Sequence, residues 1–142
     1  MLVGAANELP EDEELDALYD RFLLRYQVDY LKEDFRFLQM LTAPAATTRT
    51  TVGMAELARM RERARAVEIP GAVLRDVAEL RNRLVEKDVV VSDRRWRHSL
   101  DLLRARAALQ GRERVTGDDL GLYCHVLWSD PSERPLVEEG AE

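Results

Sequence analysis

From Met54 to about Trp128 the apolar residues recur every third or fourth position, and that spacing commits the segment to helices. Leu57, Met60, Ala64 and Val67 form one stripe. Pro70 stands where a helix can start without losing a hydrogen bond, and Val73, Val77, Leu80 and Leu84 follow it on one face. Ser92 is the expected N-cap of the next helix, which carries Trp96, Leu100, Leu103 and Ala107 on a single face. Gly111 is suited to end it. Thr116 is expected to cap a last helix, with Asp118 and Asp119 in its first turn, where the helix dipole favours acids. Trp128 and Pro131 close that helix, and the tail from Ser132 is polar, acidic and expected to be loose.

Residues 1–28 have a different pattern. "MLVGAAN" is a short apolar run without polar alternation, as in a strand covered on both faces. Pro10 and the acids Glu11 to Glu14 form a solvated loop or helix entry, and Leu15, Leu18, Tyr19 and Phe22 then fall at helical spacing. Phe22, Leu24, Tyr26 and Val28 alternate as in a second strand. Two short strands that need helices on both faces cannot make a sheet alone. The segment therefore reads as the end of a larger α/β domain. "YLKEDFRFLQML" reads as a short helix, and the small, polar stretch 42–53 as a linker.

Composition narrows the function classes. The 142 residues suffice for one domain, and 46% of them are hydrophobic, enough to build a core. A net charge of -6 argues against a nucleic-acid module that works through bulk charge. All but two of the 21 positive residues are arginines. A single cysteine, Cys124, excludes an internal disulfide and fits a reducing compartment. No apolar run approaches the ~20 residues of a membrane span, and the N-terminus lacks the pattern of a signal peptide. The expected location is cytoplasmic.

Three motifs, in order, resemble one family. "GAANELPE" resembles the sensor 1 segment of a MoxR-type AAA+ ATPase, "LDALYDRFLLR" the segment bearing its arginine finger, and "VSDRRWRHSLDLLRARAALQGRERVTGDDL" with "HVLWSDP" its helical lid. The resemblance runs from Leu2 to about Pro131 and is nearest the RavA branch. It implies a mainly α fold: the C-terminal remnant of an α/β AAA+ core in residues 1–41, a linker over 42–53, and a lid bundle over 54–131 followed by an acidic tail over 132–142. It also implies roles. Asn7 would be sensor 1, an amide that orients the attacking water without titrating. Arg21 would be the finger, an always-charged fork reaching a neighbouring subunit's nucleotide. Arg94 would be sensor 2, with Arg95 as its rival, because related lids carry Ser-Pro-Arg where this chain has Ser92, Asp93 and Arg94.

An absence limits these roles. The chain contains no G-x-x-x-x-G-K-[ST] loop and no apolar strand ending in paired acids before Asn7. Family members bind ATP and Mg²⁺; this chain alone is expected to hold neither and to hydrolyse nothing unaided. It reads either as a fragment of a longer ATPase or as a stand-alone remnant. In the first reading it contributes sensor 1, finger and lid to a ring of AAA+ subunits, which remodels or assembles a client protein complex. In the second it is a non-enzymatic helical module that binds a protein partner.

Each site residue also has a structural reading. Asn7 can cap a turn. Arg21 can pair at the surface with Asp16 or Asp20, worth ~0–1 kcal/mol. Arg25 reads as structural. Arg94 and Arg95 can be a solvated helix start, although positive charge there opposes the dipole at a cost of ~0.3–1 kcal/mol. Trp96 and Trp128 read as packing aromatics, Cys124 as a buried thiol, and Arg59, Arg61, Arg63 and Arg65 as a solvated helix surface. His98 and His125 lack neighbours at metal-ligand spacing, and no metal site is expected.

Overall fold

The computed structural model describes residues 3–7, 13–44 and 50–141. Six α-helices follow in order: α1 (Glu13–Tyr19), α2 (Asp34–Thr42), α3 (Met54–Ala66), α4 (Gly71–Glu86), α5 (Asp93–Leu109) and α6 (Arg134–Ala141). A 3-10 helix over Gly117–His125 and a 3-10 turn over Pro131–Glu133 lie between the last two. The fold is mainly α, as expected.

The helix ends obey local chemistry. Ser92 Oγ accepts a hydrogen bond from the Arg95 backbone N–H at 3.2 Å and so starts α5. At the other end Gly111 adopts a positive φ of 72°, the Arg112 N–H reaches back to Ala107 O at 2.9 Å and the Gly111 N–H to Ala108 O at 3.0 Å. The same pair of bonds closes α4, from Val89 N–H to Leu84 O at 2.9 Å and from Asp88 N–H to Val85 O at 3.1 Å. There the left-handed position is held by Asp88, at φ 61°.

The core lies among α4, α5, the 3-10 helix and α6. Val73, Leu80 and Leu84 from α4 meet Leu103 and Ala107 from α5, Tyr123 from the 3-10 helix and Val137 from α6. α3 lies along α5. The loop before α4 is tied to the turn after α5 by one isolated bridge: Glu68 N–H donates to Glu113 O at 2.9 Å, and Val115 N–H to Glu68 O at 3.0 Å.

Three expectations are corrected. No strand forms among the described residues. Residues 4–6 are irregular and exposed, and Phe22–Val28 is irregular with Leu24, Tyr26 and Val28 facing solvent. A strand needs a ladder partner for its N–H and C=O groups, and among the described residues no second strand lies beside either run; the Arg25 N–H goes instead to His125 O at 2.8 Å. The last helix is of the tighter 3-10 kind over Gly117–His125, a stretch weakened for α-helix by Gly117 and Gly121. The tail is helical rather than loose. Asp130 and Glu133 cap the turn at Pro131 reciprocally, with Asp130 Oδ1 accepting from Ser132 N–H at 2.8 Å and Glu133 Oε2 from Asp130 N–H at 3.2 Å, as well as from Ser129 N–H at 2.7 Å. α6 then buries Val137 completely and brings Gly140 so near Leu80 that a Cβ there would lie 2.8 Å from Leu80 Cδ1. The linker expected over 42–53 is described only at its two ends.

Candidate functional site

The segment just after α1 meets the start of α5 and the loop after the 3-10 helix, and two buried guanidinium groups hold that junction. Arg95 is 2% exposed. Its Nε donates to Asp20 Oδ1 at 3.1 Å. Nη1 donates to Val126 O at 2.8 Å and Leu23 O at 3.2 Å. Nη2 donates to Asp20 O at 2.9 Å and Phe22 O at 3.3 Å. A guanidinium has five N–H groups, and each of these five bonds can use one of them. Ser92 adds a sixth tie, from Oγ to Asp20 Oδ2 at 3.0 Å. Burial pulls the Asp20 carboxyl upward, but the hydrogen bonds from Arg95 and Ser92 outweigh it and hold it below the usual carboxylate range.

Arg25 forms the second clamp. Its Nη1 donates to Trp128 O and, at 3.3 Å, to Ser129 Oγ; its Nη2 donates to Tyr19 O at 3.1 Å. The guanidinium lies 3.9 Å from the Tyr19 ring centroid and 6.0 Å from that of Trp128. Burial, and then the charge of Arg95, lower its pKa to about 10, so it remains cationic at neutral pH. This structural use agrees with the reading of Arg25 from sequence.

The four predicted site residues fall differently. Arg95 is spent on the junction. Arg94, beside it on α5, is exposed, and no ion pair holds it among the described residues. Arg21 is also exposed, directly after Asp20; its N–H closes a turn on Leu18 O at 3.0 Å. Asn7 sits in an exposed bend of the segment 3–7, which approaches the junction where Gly4 lies beside the Phe22 ring. Asp16, offered from sequence as a surface partner of Arg21, has a side chain outside the described set.

Two features were missed by sequence reasoning. Asp20 is the acid at the centre of the junction, but its partner lies 75 positions away, beyond any spacing rule. Asp119, read as a dipole-favoured acid, is only 1% exposed and anchors Arg112 at 2.6 and 2.8 Å and Arg106 at 3.3 Å. Burial alone would raise its pKa, but the hydrogen bonds from Arg112 and the Thr116 N–H hold it down.

The remaining residues are mostly packing. Trp128 is buried, with Nε1 donating to Cys124 O at 2.7 Å, and half-buried Trp96 meets Tyr123 edge-on at 5.8 Å. His125 stacks on Tyr26 at 4.4 Å. Among the described residues no group of three or more His, Cys, Asp or Glu could hold a metal. No described helix is long and apolar enough to cross a membrane. A cleft of about 520 Å³ between α4, the 3-10 helix and α6 has Leu80 and Leu120 in its lining and Asp76, Arg83 and Asp118 among its polar groups.

Comparison with known families covers nearly all of this architecture. Residues 72–140, from α4 through α6, match the AAA lid domain. Residues 1–64 match the MoxR domain of the MoxR-vWA-beta-propeller ternary systems. The chain belongs to the MoxR family of AAA+ ATPases. In this MoxR-family chain the lid match begins at α4, whereas the sequence reading began the lid at residue 54. Two uncharacterized proteins of Methanocaldococcus jannaschii are similar. MJ0079 is 32% identical over 139 residues, which is 97% of this chain and 36% of that protein. MJ0812 is 30% identical over 133 residues, 93% of this chain and 35% of that protein. The MoxR-family chain thus spans about a third of the length of the curated relatives it matches.

Proposed function

We propose that this segment acts as the finger-bearing and lid portion of a MoxR-type AAA+ ATPase, nearest the RavA branch, working in a ring of such subunits in the cytoplasm. ATP hydrolysis in the ring drives remodelling or assembly of a client protein complex. The observation that carries the reading is the exposed Arg21 guanidinium on a backbone pinned immediately before and after it. A finger must be a charged fork held in a fixed place, because phosphoryl transfer is catalysed by positioning and charge neutralisation. Arg21 reaches the neighbouring subunit's nucleotide. Asn7 orients the attacking water.

Arg94 is the nucleotide-sensing residue. The support for Arg94 over Arg95 is chemical: five hydrogen bonds already account for every N–H of the Arg95 guanidinium, and the Arg94 guanidinium faces solvent. The phosphate loop and Mg²⁺ ligands are not among these 142 residues, so the chain's own contribution is its guanidinium groups and one amide. Changing Arg21 to Ala in the ring should remove most turnover and leave nucleotide binding within about twofold. Unchanged turnover ends the assignment.

A second reading, a non-enzymatic protein-interaction module, is favoured by the apolar surface over residues 24–41. Tyr30 is 97% exposed and Val28 90%, and α2 buries nothing. The sequence lacks the phosphate loop in either case. Binding of a protein partner by this chain without nucleotide, and without any ATPase subunit, would favour the module.

A further inference from the structure

We infer that Arg95 and Asp20 form a positioning strut that sets the placement of Arg21 from the lid. The inference rests on the finger reading of Arg21. Arg95 belongs to α5, yet three of its five acceptors are the carbonyl oxygens of Asp20, Phe22 and Leu23, the residue before Arg21 and the two after it. The remaining two are the Asp20 carboxylate and Val126 O, the latter in the loop that follows the 3-10 helix. Arg21 therefore projects from a backbone gripped on both sides by one lid side chain. Ser92, which starts α5, holds the other oxygen of the same carboxylate. The strut reaches the second candidate as well. Arg94 is the immediate neighbour of Arg95 on the first turn of α5, so a movement of that turn in response to nucleotide is felt at Asp20. One ion pair thus links the residue that reads a subunit's nucleotide to the residue that serves its neighbour's.

A surface pair could not do this. Exposed ion pairs bend and exchange with water, whereas a buried, fully bonded guanidinium has no alternative donors to offer. Lysine keeps the charge but cannot reach five acceptors from one plane.

The test compares Arg95→Lys, Asp20→Asn, Arg21→Ala, the double variant Arg21→Ala/Arg95→Lys and a packing control, Leu103→Ala, in the ATPase ring that contains this segment. The strut predicts that Arg95→Lys and Asp20→Asn lower kcat at least tenfold with nucleotide affinity within twofold. It predicts that the double variant is no slower than Arg21→Ala alone, and that Leu103→Ala lowers the melting temperature without that loss of kcat. Hydrogen exchange supplies the second readout, on the 142-residue chain itself: amides 21 and 22, bonded to Leu18 O and Tyr19 O, should exchange at least tenfold faster in Arg95→Lys while those of α4 keep their protection. An Arg95→Lys ring that turns over normally while Arg21→Ala is inactive overturns the strut and leaves the finger. If Arg21→Ala turns over normally, the finger reading fails. Exchange at amides 21 and 22 then decides the strut alone, and an unchanged rate overturns it.

Discussion

Two paired carboxylates, buried Asp119 and half-buried Asp20, shape how this chain responds to acid. Asp119 receives charge-assisted bonds from Arg112 and lies against Arg106. Removing it takes an acceptor from Arg106, Arg112 and the Thr116 N–H, although Arg112 keeps its bonds to Gln110 Oε1 and Arg114 O. Because both arginines are about a third exposed, water recovers part of the loss. Asp119→Ala should cost about 2–3 kcal/mol in a chemical denaturation experiment; a loss under about 0.5 kcal/mol would show the cluster to be ornamental. Asp20 and Asp119 are both held below their usual pKa range. A depressed acid stabilises the fold fully above its unfolded value of about 3.9 and loses that contribution as the pH falls through its folded value. Stability should therefore be flat from these groups above about pH 5 and fall steadily below about pH 4. Asp20→Asn should flatten part of that fall.

Helix ends and docking faces set the next level. Asp88 occupies the left-handed position that closes α4, a conformation in which an L side chain is strained and glycine is not. Asp88→Gly should raise stability by a few tenths to about 1 kcal/mol, after the greater freedom of glycine in the unfolded chain is subtracted. A lower melting temperature would contradict this. Gly140 is the opposite case: a methyl group there would lie 2.8 Å from Leu80 Cδ1, at the edge of the cleft between α4 and α6. Gly140→Ala should cost about 1–3 kcal/mol and loosen α6 first, visible as faster amide exchange in α6 than in α5. These elements differ in how legible they were. α4 and α5 run 16 and 17 residues, long enough for a 3.6-residue period to repeat four times, and Pro70, Ser92 and Gly111 marked three of their four ends; the left-handed Asp88 that closes α4 carried no such signal. α6 has eight residues, with one fully buried side chain among its acids, so no period could develop. The N-terminal runs looked like strands because their composition suits strands. A strand is a property of a pair, and composition cannot supply the partner.

Across the whole molecule, burial is divided unevenly. The cluster of buried apolar side chains begins at Val67, while most of the large apolar side chains left in water precede it. α2 carries Phe35, Phe37, Leu38, Met40 and Leu41 outward. This chain should therefore bind an apolar dye and associate with rising concentration. Phe35→Asp with Leu38→Asp should reduce both, and because α2 has no buried residue, the melting transition should move by less than the equivalent of about 0.5 kcal/mol. Dye binding that survives the pair of changes would place the sticky surface elsewhere. The candidate site was half legible at this scale. The family motifs pointed to Arg21 and to Arg94 with Arg95 as its rival, but that the Arg95 guanidinium faces a carboxylate from a distant part of the chain was not legible in any spacing.

The Arg95 junction also redraws the mechanical map of the chain. The two family matches part between residues 64 and 72, which places Asp20 to Arg25 in the stretch matched to the MoxR domain. By attachment the same residues belong to the lid, since Arg95 and Arg25 fasten them to α5 and to the 126–129 loop at once. Bonds sharing one guanidinium let go together or not at all. Any displacement of α5 would carry these residues with it, so a joint would lie outside them, along stretches that neither arginine touches.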